Sequence, residues 1–348
     1  MPQTASVRSA YLAGLDVTPL TLDCQIAPGI PRLTILGLGD ALGAEAACRV
    51  RTAIRATGFE MPQASIVVQT HPSSVRVRGT GADLAIAAAI LAASGQIPPV
   101  PDDAVLVGEL TLRGDVVDVR GMACYDRWCA EHDTMLVCAP TSQLTSHVPV
   151  PTLGDLRALD WTPTLSAGIS PVPRTPQTPP DALRGAFQAA MESHSIILLR
   201  GADGPVSRAV RALHAALPSL APEQCTELAC IHSACRVSFT GEPPFRCPHH
   251  SISCAGLIGG GRPVMPGELT LATHGLLLIS DVERWSQSQL DIMTRPLQER
   301  EVRVVRVEGA WTMPAEPALV VATTTETKTP SEQLLRGLAR LGFTEVML

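Results

Sequence analysis

Between Ser166 and Pro180 the chain reads SAGISPVPRTPQTPP, five prolines in fifteen residues. Each proline fixes its own φ, removes an N–H and pushes the preceding residue away from helix. Neither a helix nor an interior strand runs easily through such a stretch. It predicts an extended linker, 166–180, between a first domain, 1–165, and a second, 181–348. Each piece is long enough to bury a core of its own.

Hydrophobic residues make up 45% of the chain and aromatics only 3%, so the cores have to be built from Ala, Val, Leu and Ile. The formal charge of −6 supplies no overall pull toward nucleic acid or an anionic membrane. No apolar run reaches about eighteen residues, so no membrane-spanning helix is expected. The N-terminal MPQTASVRSAYLAG lacks the apolar core of a signal peptide, which makes the cytoplasm the expected compartment. Ten cysteines there are expected to be reduced thiols.

The first 160 or so residues alternate strand-like and helix-like text. Ile66–Thr70, Val105–Leu112 and Met135–Ala139 read as strands. Asp83–Ser94, DLAIAAAILAAS, reads as a helix with Asp83 as N-cap or first-turn acid. Gly121–His132 reads as another, with Met122, Trp128 and Cys129 sharing a face.

Past the linker, helix Ala182–Ser193 leads into a buried strand, Ile196–Leu199, a turn, Gly201–Gly204, and a helix, Val206–Leu217. A second apolar strand, Leu276–Ile279, ends near an acid. Ser286–Glu299 is amphipathic, Val302–Val307 and Leu319–Ala322 are further strands, and Ser331–Leu341 a final helix. Strand, turn and helix followed by a strand ending in acid is the layout of a phosphate-loop nucleotide fold.

Such a loop needs glycines for close backbone approach, a Lys for the β/γ oxygens and a Ser or Thr hydroxyl for magnesium. Here Gly201 and Gly204 have the separation required, but Ser207 stands at the Lys position and Arg208 at the hydroxyl position. Pro205 deletes one amide and Asp203 sets a negative charge against incoming phosphate. The chain's only lysine is Lys328, far downstream. The acidic strand end should read Asp then Glu, one for magnesium and one for water. It reads Ser280-Asp281. On the loop alone, an ordinary strand–helix connection is the favoured reading, since short glycine-containing turns are common.

The stretch Pro243–Asp281 resembles the signature region of the ComM/YifB-type magnesium-chelatase-like AAA+ family. Its landmarks are Pro244-Phe245-Arg246, Pro248-His249-His250, Gly259-Gly260-Gly261, Pro266-Gly267-Glu268 and Leu271-Ala272. The likeness runs on through Leu290–Glu299. Gly37–Gly39, Arg49–Thr52, Asp83–Ala87 and Gly108–Leu110 resemble the same family's N-terminal domain. The resemblance implies an α/β fold: a Lon-protease-like domain of ribosomal S5 domain 2 type, then a P-loop NTPase-like AAA+ core. It also implies a hexameric ATPase that processes DNA during natural transformation, using ATP and magnesium.

Several residues depart from that pattern. Ser207, Arg208 and Ser280 replace the expected Lys, Ser/Thr and Asp, Thr323 or Thr324 falls where an Asn is expected, and the helical lid and arginine-finger region are expected to be missing. The Ser-Lys dyad of a Lon-type protease would fall at Gly81 and Ala123, so proteolysis is not expected.

The expectation is therefore a pseudo-ATPase, a scaffold or regulator with no catalytic residue and no certain cofactor. Its partners would be a second copy of itself or an intact AAA+ paralogue, with DNA possible by resemblance. A residual ATP-binding DNA-processing protein using Arg208 is the alternative, and a product without selected activity is a third reading. Cys225, Cys230 and Cys235, followed by Cys247, His249, His250 and Cys254, lack the CxxC spacing of a zinc site and read as buried thiols. Arg300, Arg303 and Arg306 alternate with Glu299, Glu301 and Glu308 and read as a mixed-charge edge.

Overall fold

The computed structural model describes residues 3–141, 143–323 and 338–348. The chain divides into two compact units, Met1–Ile169 and Ser170–Leu348.

The first unit is built on an eight-stranded sheet. In chain order its elements are β1 (Gln3–Ala13), β2 (Asp16–Ala27), β3 (Arg32–Leu36), α1 (Asp40–Ala56), β4 (Ser65–His71), α2 (Asp83–Ala93) and β5 (Ala104–Leu106). There follow β6 (Glu109–Leu110), β7 (Val116–Val117), α3 (Met122–Glu131), β8 (Met135–Cys138), β9 (Ser146–Pro149) and β10 (Thr164–Leu165). The strand order is β10-β9-β8-β5-β1-β2-β4-β3. Along β2, Leu20, Leu22, Cys24 and Ile26 alternate inward, the period-2 signature of a half-buried strand. β2 pairs antiparallel with β1 and with β4.

α2 packs on β1 and β2 and is buried on all sides, which is why its text is apolar throughout rather than amphipathic. Asp83 is its first residue, and Ala82 stands at the cap position. The Asp83 carboxylate, 2% exposed, accepts a bidentate pair from Arg49 on α1, at 2.7 and 3.2 Å. Burial pushes the Asp83 pKa up, and the Arg49 guanidinium opposes that rise.

Two expectations need correction here. Val105–Leu112 is not one strand. The backbone leaves the large sheet after Leu106, Gly108 donates to the Gly81 carbonyl, and Glu109–Leu110 pairs instead with β7. On α3, Met122 and Cys129 are buried with Tyr125 and Asp126, while Trp128 lies half-buried, stacked on His132 at 4.3 Å.

The proline-rich stretch is extended, and it is also held. Ser166 donates to the Thr145 carbonyl, Val172 to Gly241 and Gln177 to Ala215. The Arg174 amide donates to the Ser219 hydroxyl at 2.7 Å. Its latter half thus lies along the second unit rather than hanging free.

The second unit comprises α4 (Asp181–Ser193), β11 (Ile196–Arg200), α5 (Asp203–Ala216), α6 (Pro222–Ala234), β12 (Phe245–Arg246), α7 (Cys254–Ile258), α8 (Glu268–Leu271) and β13 (Leu276–Ile279). It continues with α9 (Gln287–Glu299), β14 (Glu301–Arg306), β15 (Gly309–Pro314), β16 (Ala318–Thr323) and β17 (Phe343–Met347). Five strands form one parallel sheet in the order β12-β13-β16-β11-β17. Its inner strands, IILLR, LLLI and ALVVAT, are almost continuously apolar, as a sheet covered on both faces demands. α9 starts at a capping box in which Ser286 and Gln289 satisfy each other's backbone amides. β14 and β15 form a separate hairpin. Of the expected helix Ser331–Leu341, only a 3₁₀ turn at Leu338–Leu341 falls among the described residues.

Candidate functional site

In an open parallel sheet, ligands sit outside the carboxyl ends of the strands, where the strand order reverses. Here that point lies at β11, flanked by β16 and β17 although it comes first in the chain. A cavity of about 410 Å³ opens beside it, between α5 and the strands β12, β13 and β16, lined by Asp203, Val206, Ser207, Val210 and Arg211 of α5 and by Phe245, Leu278, Ser280, Asp281 and Ala322. Chain segments 73 residues apart in sequence, at Ser207 and Ser280, thereby face one cleft.

The connection from β11 is shorter than the sequence suggests. Only Gly201 and Ala202 separate the strand from α5, and Gly204 lies inside the first helical turn. An acid at the first helical position and a proline two residues later are both favourable at a helix start, which accounts for the early onset. The consequence for phosphate is direct. Val206 already bonds the Ala202 carbonyl, and Pro205 has no N–H, so the first turn leaves the amides of Asp203 and Gly204. Asp203 itself supplies the negative charge that a helix N-terminus favours.

Gly201 has a packing reason to be glycine. A Cβ there would sit 2.8 Å from the Leu348 carbonyl oxygen and 3.0 Å from the Leu348 Cβ. Arg208 is exposed and is not among the residues lining the cavity. Its guanidinium lies along the first turn, 3.6 Å from where a Cβ on Gly204 would be. Arg211 lines the cavity, and its Nε donates back to the Ser207 carbonyl at 3.2 Å.

At the other wall, Ser280 ends β13 and Asp281 turns into the left-handed region at φ 47°. The Ser280 carbonyl accepts the Trp285 indole N–H at 3.0 Å, and its hydroxyl lies 3.9 Å from the exposed Cys247 thiol. Thr323, at the end of β16, donates its hydroxyl to the Glu283 carboxylate. That carboxylate gave no sequence signal, because its partner lies 40 residues away. Thr324 and Lys328 lie outside the described residues.

Of the signature residues Phe245 lines the cavity, whereas Arg246 and Glu268 hold each other. Arg246 donates to Glu268 through Nε at 2.7 Å and Nη2 at 2.6 Å, and the carboxylate holds the guanidinium pKa above its already high ordinary value. This ties β12 to the start of α8. Gly267, just before Glu268, passes so close to the preceding turn that a Cβ would fall 2.3 Å from the Gly259 nitrogen and 2.5 Å from the Leu257 oxygen. The His249 and His250 rings lie 3.9 Å apart, and His249 bonds Ser251 at 2.7 Å. The His250 and Ile252 carbonyls both accept from the buried Gln289 amide of α9. These histidines shape a loop.

Cys225 and Cys230 are buried on or beside α6, and Cys235 follows its end. Among the described residues no three His, Cys, Asp or Glu side chains converge in a way that would hold a metal ion. In the first unit, Gly81 and Ala123 offer neither nucleophile nor base, and the adjacent Thr80 hydroxyl donates to Glu109 at 2.6 Å. Among the described residues no helix is long and apolar enough to cross a membrane.

Residues 179–332 match the family described as magnesium chelatase, subunit ChlI, and residues 22–142 match the family described as subunit ChlI of Mg-chelatase. An uncharacterised protein of Mycobacterium bovis is 31% identical over 345 residues, covering 90% of this chain and 67% of its own length. The YifB protein of Escherichia coli is 28% identical over 348 residues, 91% of this chain and 67% of its own. Competence protein ComM of Haemophilus influenzae is 27% identical over 378 aligned positions, 97% of this chain and 73% of its own. With matches in both units and a signature built around the Arg246–Glu268 pair, the chain belongs to the ComM/YifB-type magnesium-chelatase-like family.

Proposed function

We propose that this chain is a pseudo-ATPase of its family, a scaffold or regulatory partner in DNA processing or competence. In this reading the first unit is a Lon-like, S5-type domain and the second a degenerate AAA+ core. The observation that carries it is the cleft between α5 and the strands β12, β13 and β16. Where ATP chemistry needs a cation for the phosphates and a magnesium ligand, the cleft has Ser207 and Ser280, with Asp203 at the helix start. A preorganised cation at a transferring phosphoryl group contributes orders of magnitude in rate, and no lysine stands among the described residues to replace it.

The polar group at the end of β16 is also committed, since Thr323 bonds Glu283. The strand order supports the AAA+ assignment, because β11, β13 and β16 lie in adjacent positions of one parallel sheet. A link to DNA uptake is supported by the name of one relative, competence protein ComM. The partner would be a second copy or an intact AAA+ paralogue.

Calorimetric titration of the purified chain with ATP, with and without magnesium, tests the proposal. The expected result is no magnesium-dependent binding up to millimolar nucleotide. Micromolar, magnesium-dependent binding would sink it and favour the second reading, a residual ATP-binding protein in which Arg208 takes the role of the loop cation. The position of Arg208 over the first turn of α5 is the observation in favour of that alternative.

A further inference from the structure

The cleft has lost its fit to phosphate without being filled. Its floor and sides are apolar: Val206, Val210, Leu278, Ala322 and the ring of Phe245. The lining also holds the hydroxyls of Ser207 and Ser280 and the carboxylates of Asp203 and Asp281. Arg211 is the single cation in the lining, so the side chains facing the cavity sum to one net negative charge at neutral pH. Its Nε is already committed to a carbonyl one turn back, and Arg208 lies outside the lining.

An anion entering this space meets two carboxylates and a helix start already occupied by its own acid. A small cation on an aliphatic stem meets apolar walls for the stem and carboxylate and hydroxyl acceptors for the head. We propose that the cleft binds an aminoalkyl or guanidinoalkyl group, either as a free diamine or as a Lys or Arg side chain supplied by a partner. The proposal rests on the reading that phosphate chemistry has been lost here. The volume of about 410 Å³ is within the range of small-molecule sites and exceeds what one such side chain needs.

The test titrates the full chain at 0.15 M salt with agmatine, a free aminoalkyl guanidine, and with Nα-acetyl-arginine amide, as the side-chain mimic. Each is run against wild type, the double variant Asp203→Asn/Asp281→Asn, and Ser207→Lys. The expected result is saturable binding of at least one probe, weakened tenfold or more in the double variant. Ser207→Lys, which tethers an ammonium group inside the cleft, is expected to abolish it. The tighter probe identifies the source. Absence of binding at 10 mM, or binding that both variants leave unchanged, overturns the proposal. MgATP is titrated in parallel: silence from ATP and from both probes sinks only the cation site, whereas tight MgATP binding sinks the pseudo-ATPase reading beneath it. Asp203 and Ser207 are exposed on the first turns of a helix, and Asn tolerates the left-handed φ of 47° at position 281, so both variants are expected to fold.

Discussion

If the family signature is a structural clamp, breaking Arg246–Glu268 should cost stability and leave the cleft's ligand chemistry alone. The side chains are 28% and 16% exposed, and two hydrogen bonds of 2.6 and 2.7 Å join them. A hydrogen bond to a charged group is worth about 1.5–3 kcal/mol, and removing one partner of a buried pair costs about 3–5 kcal/mol. Partial exposure places this pair toward the lower end, so Glu268→Gln or Arg246→Met should cost about 2–3 kcal/mol each. For a domain of this size, that is roughly 4–12 °C in the melting temperature of the second unit. A double-mutant cycle isolates the pairwise part, expected at about 1 kcal/mol or more.

The exposed Arg295–Glu299 pair on α9, 81% and 45% exposed, serves as control and should couple by less than about 0.5 kcal/mol. Scanning calorimetry gives the unit's melting, and hydrogen exchange of peptides within 243–281 gives the local opening free energy. Coupling below about 0.5 kcal/mol at Arg246–Glu268 would refute the clamp. So would a variant that changes ligand binding in the cleft without moving the melting temperature.

Two further outcomes follow from the same unit. Gly267→Ala drives a Cβ into backbone atoms 2.3 and 2.5 Å away and should destabilise by about 2–4 kcal/mol; Gly185→Ala, inside α4 with open space around it, should be neutral or stabilise by up to about 1 kcal/mol, both read by denaturant unfolding. His232 is 4% exposed, and burial is the main reason its pKa is lowered, with the Leu271 carbonyl opposing that shift. A lowered folded pKa means that the unfolded chain binds the extra proton first. Stability should therefore be full above about pH 6.5 and fall as the pH drops below it toward the folded value, at up to about 1.4 kcal/mol per pH unit for one proton. The Arg246–Glu268 pair is close enough to affect this ring from either side, and His232→Gln should flatten the melting-temperature profile between pH 7 and pH 5.

Local text predicted the elements whose burial is uniform. DLAIAAAILAAS, IILL and LLLI have one environment along their whole length, so composition alone marks them. The alternation at Leu20, Leu22, Cys24 and Ile26 is an equally plain signal for β2. The break at Gly108 was not legible, because the two halves of that apolar run find different partners far away in sequence. The early start of α5 is legible in Asp203 and Pro205, which open a helix by the same properties that obstruct phosphate. At the site, Ser207 and Ser280 could be singled out one by one, but their common cavity and the Thr323–Glu283 bond are products of sheet order. Arg246 and Glu268 were visible as separate words of a motif, 22 residues apart, and their bond to each other was not.

The close approach of Gly201 to Leu348 changes what a glycine in such a loop can testify to. A motif glycine serves two masters, the ligand that needs bare backbone beside it and the neighbouring strand that leaves no room for a methyl group. Here the second demand suffices: any side chain at 201 would wedge β17 away from β11 whether or not a phosphate ever arrived. Selection on folding alone would preserve that glycine after selection on catalysis had lapsed. In the pseudo-ATPase reading proposed above, residues whose only work is electrostatic, at the positions of Ser207 and Ser280, carry no such second constraint. Gly201 therefore testifies to the packing of β17 on β11, and only the side chains at 207 and 280 bear on phosphate chemistry.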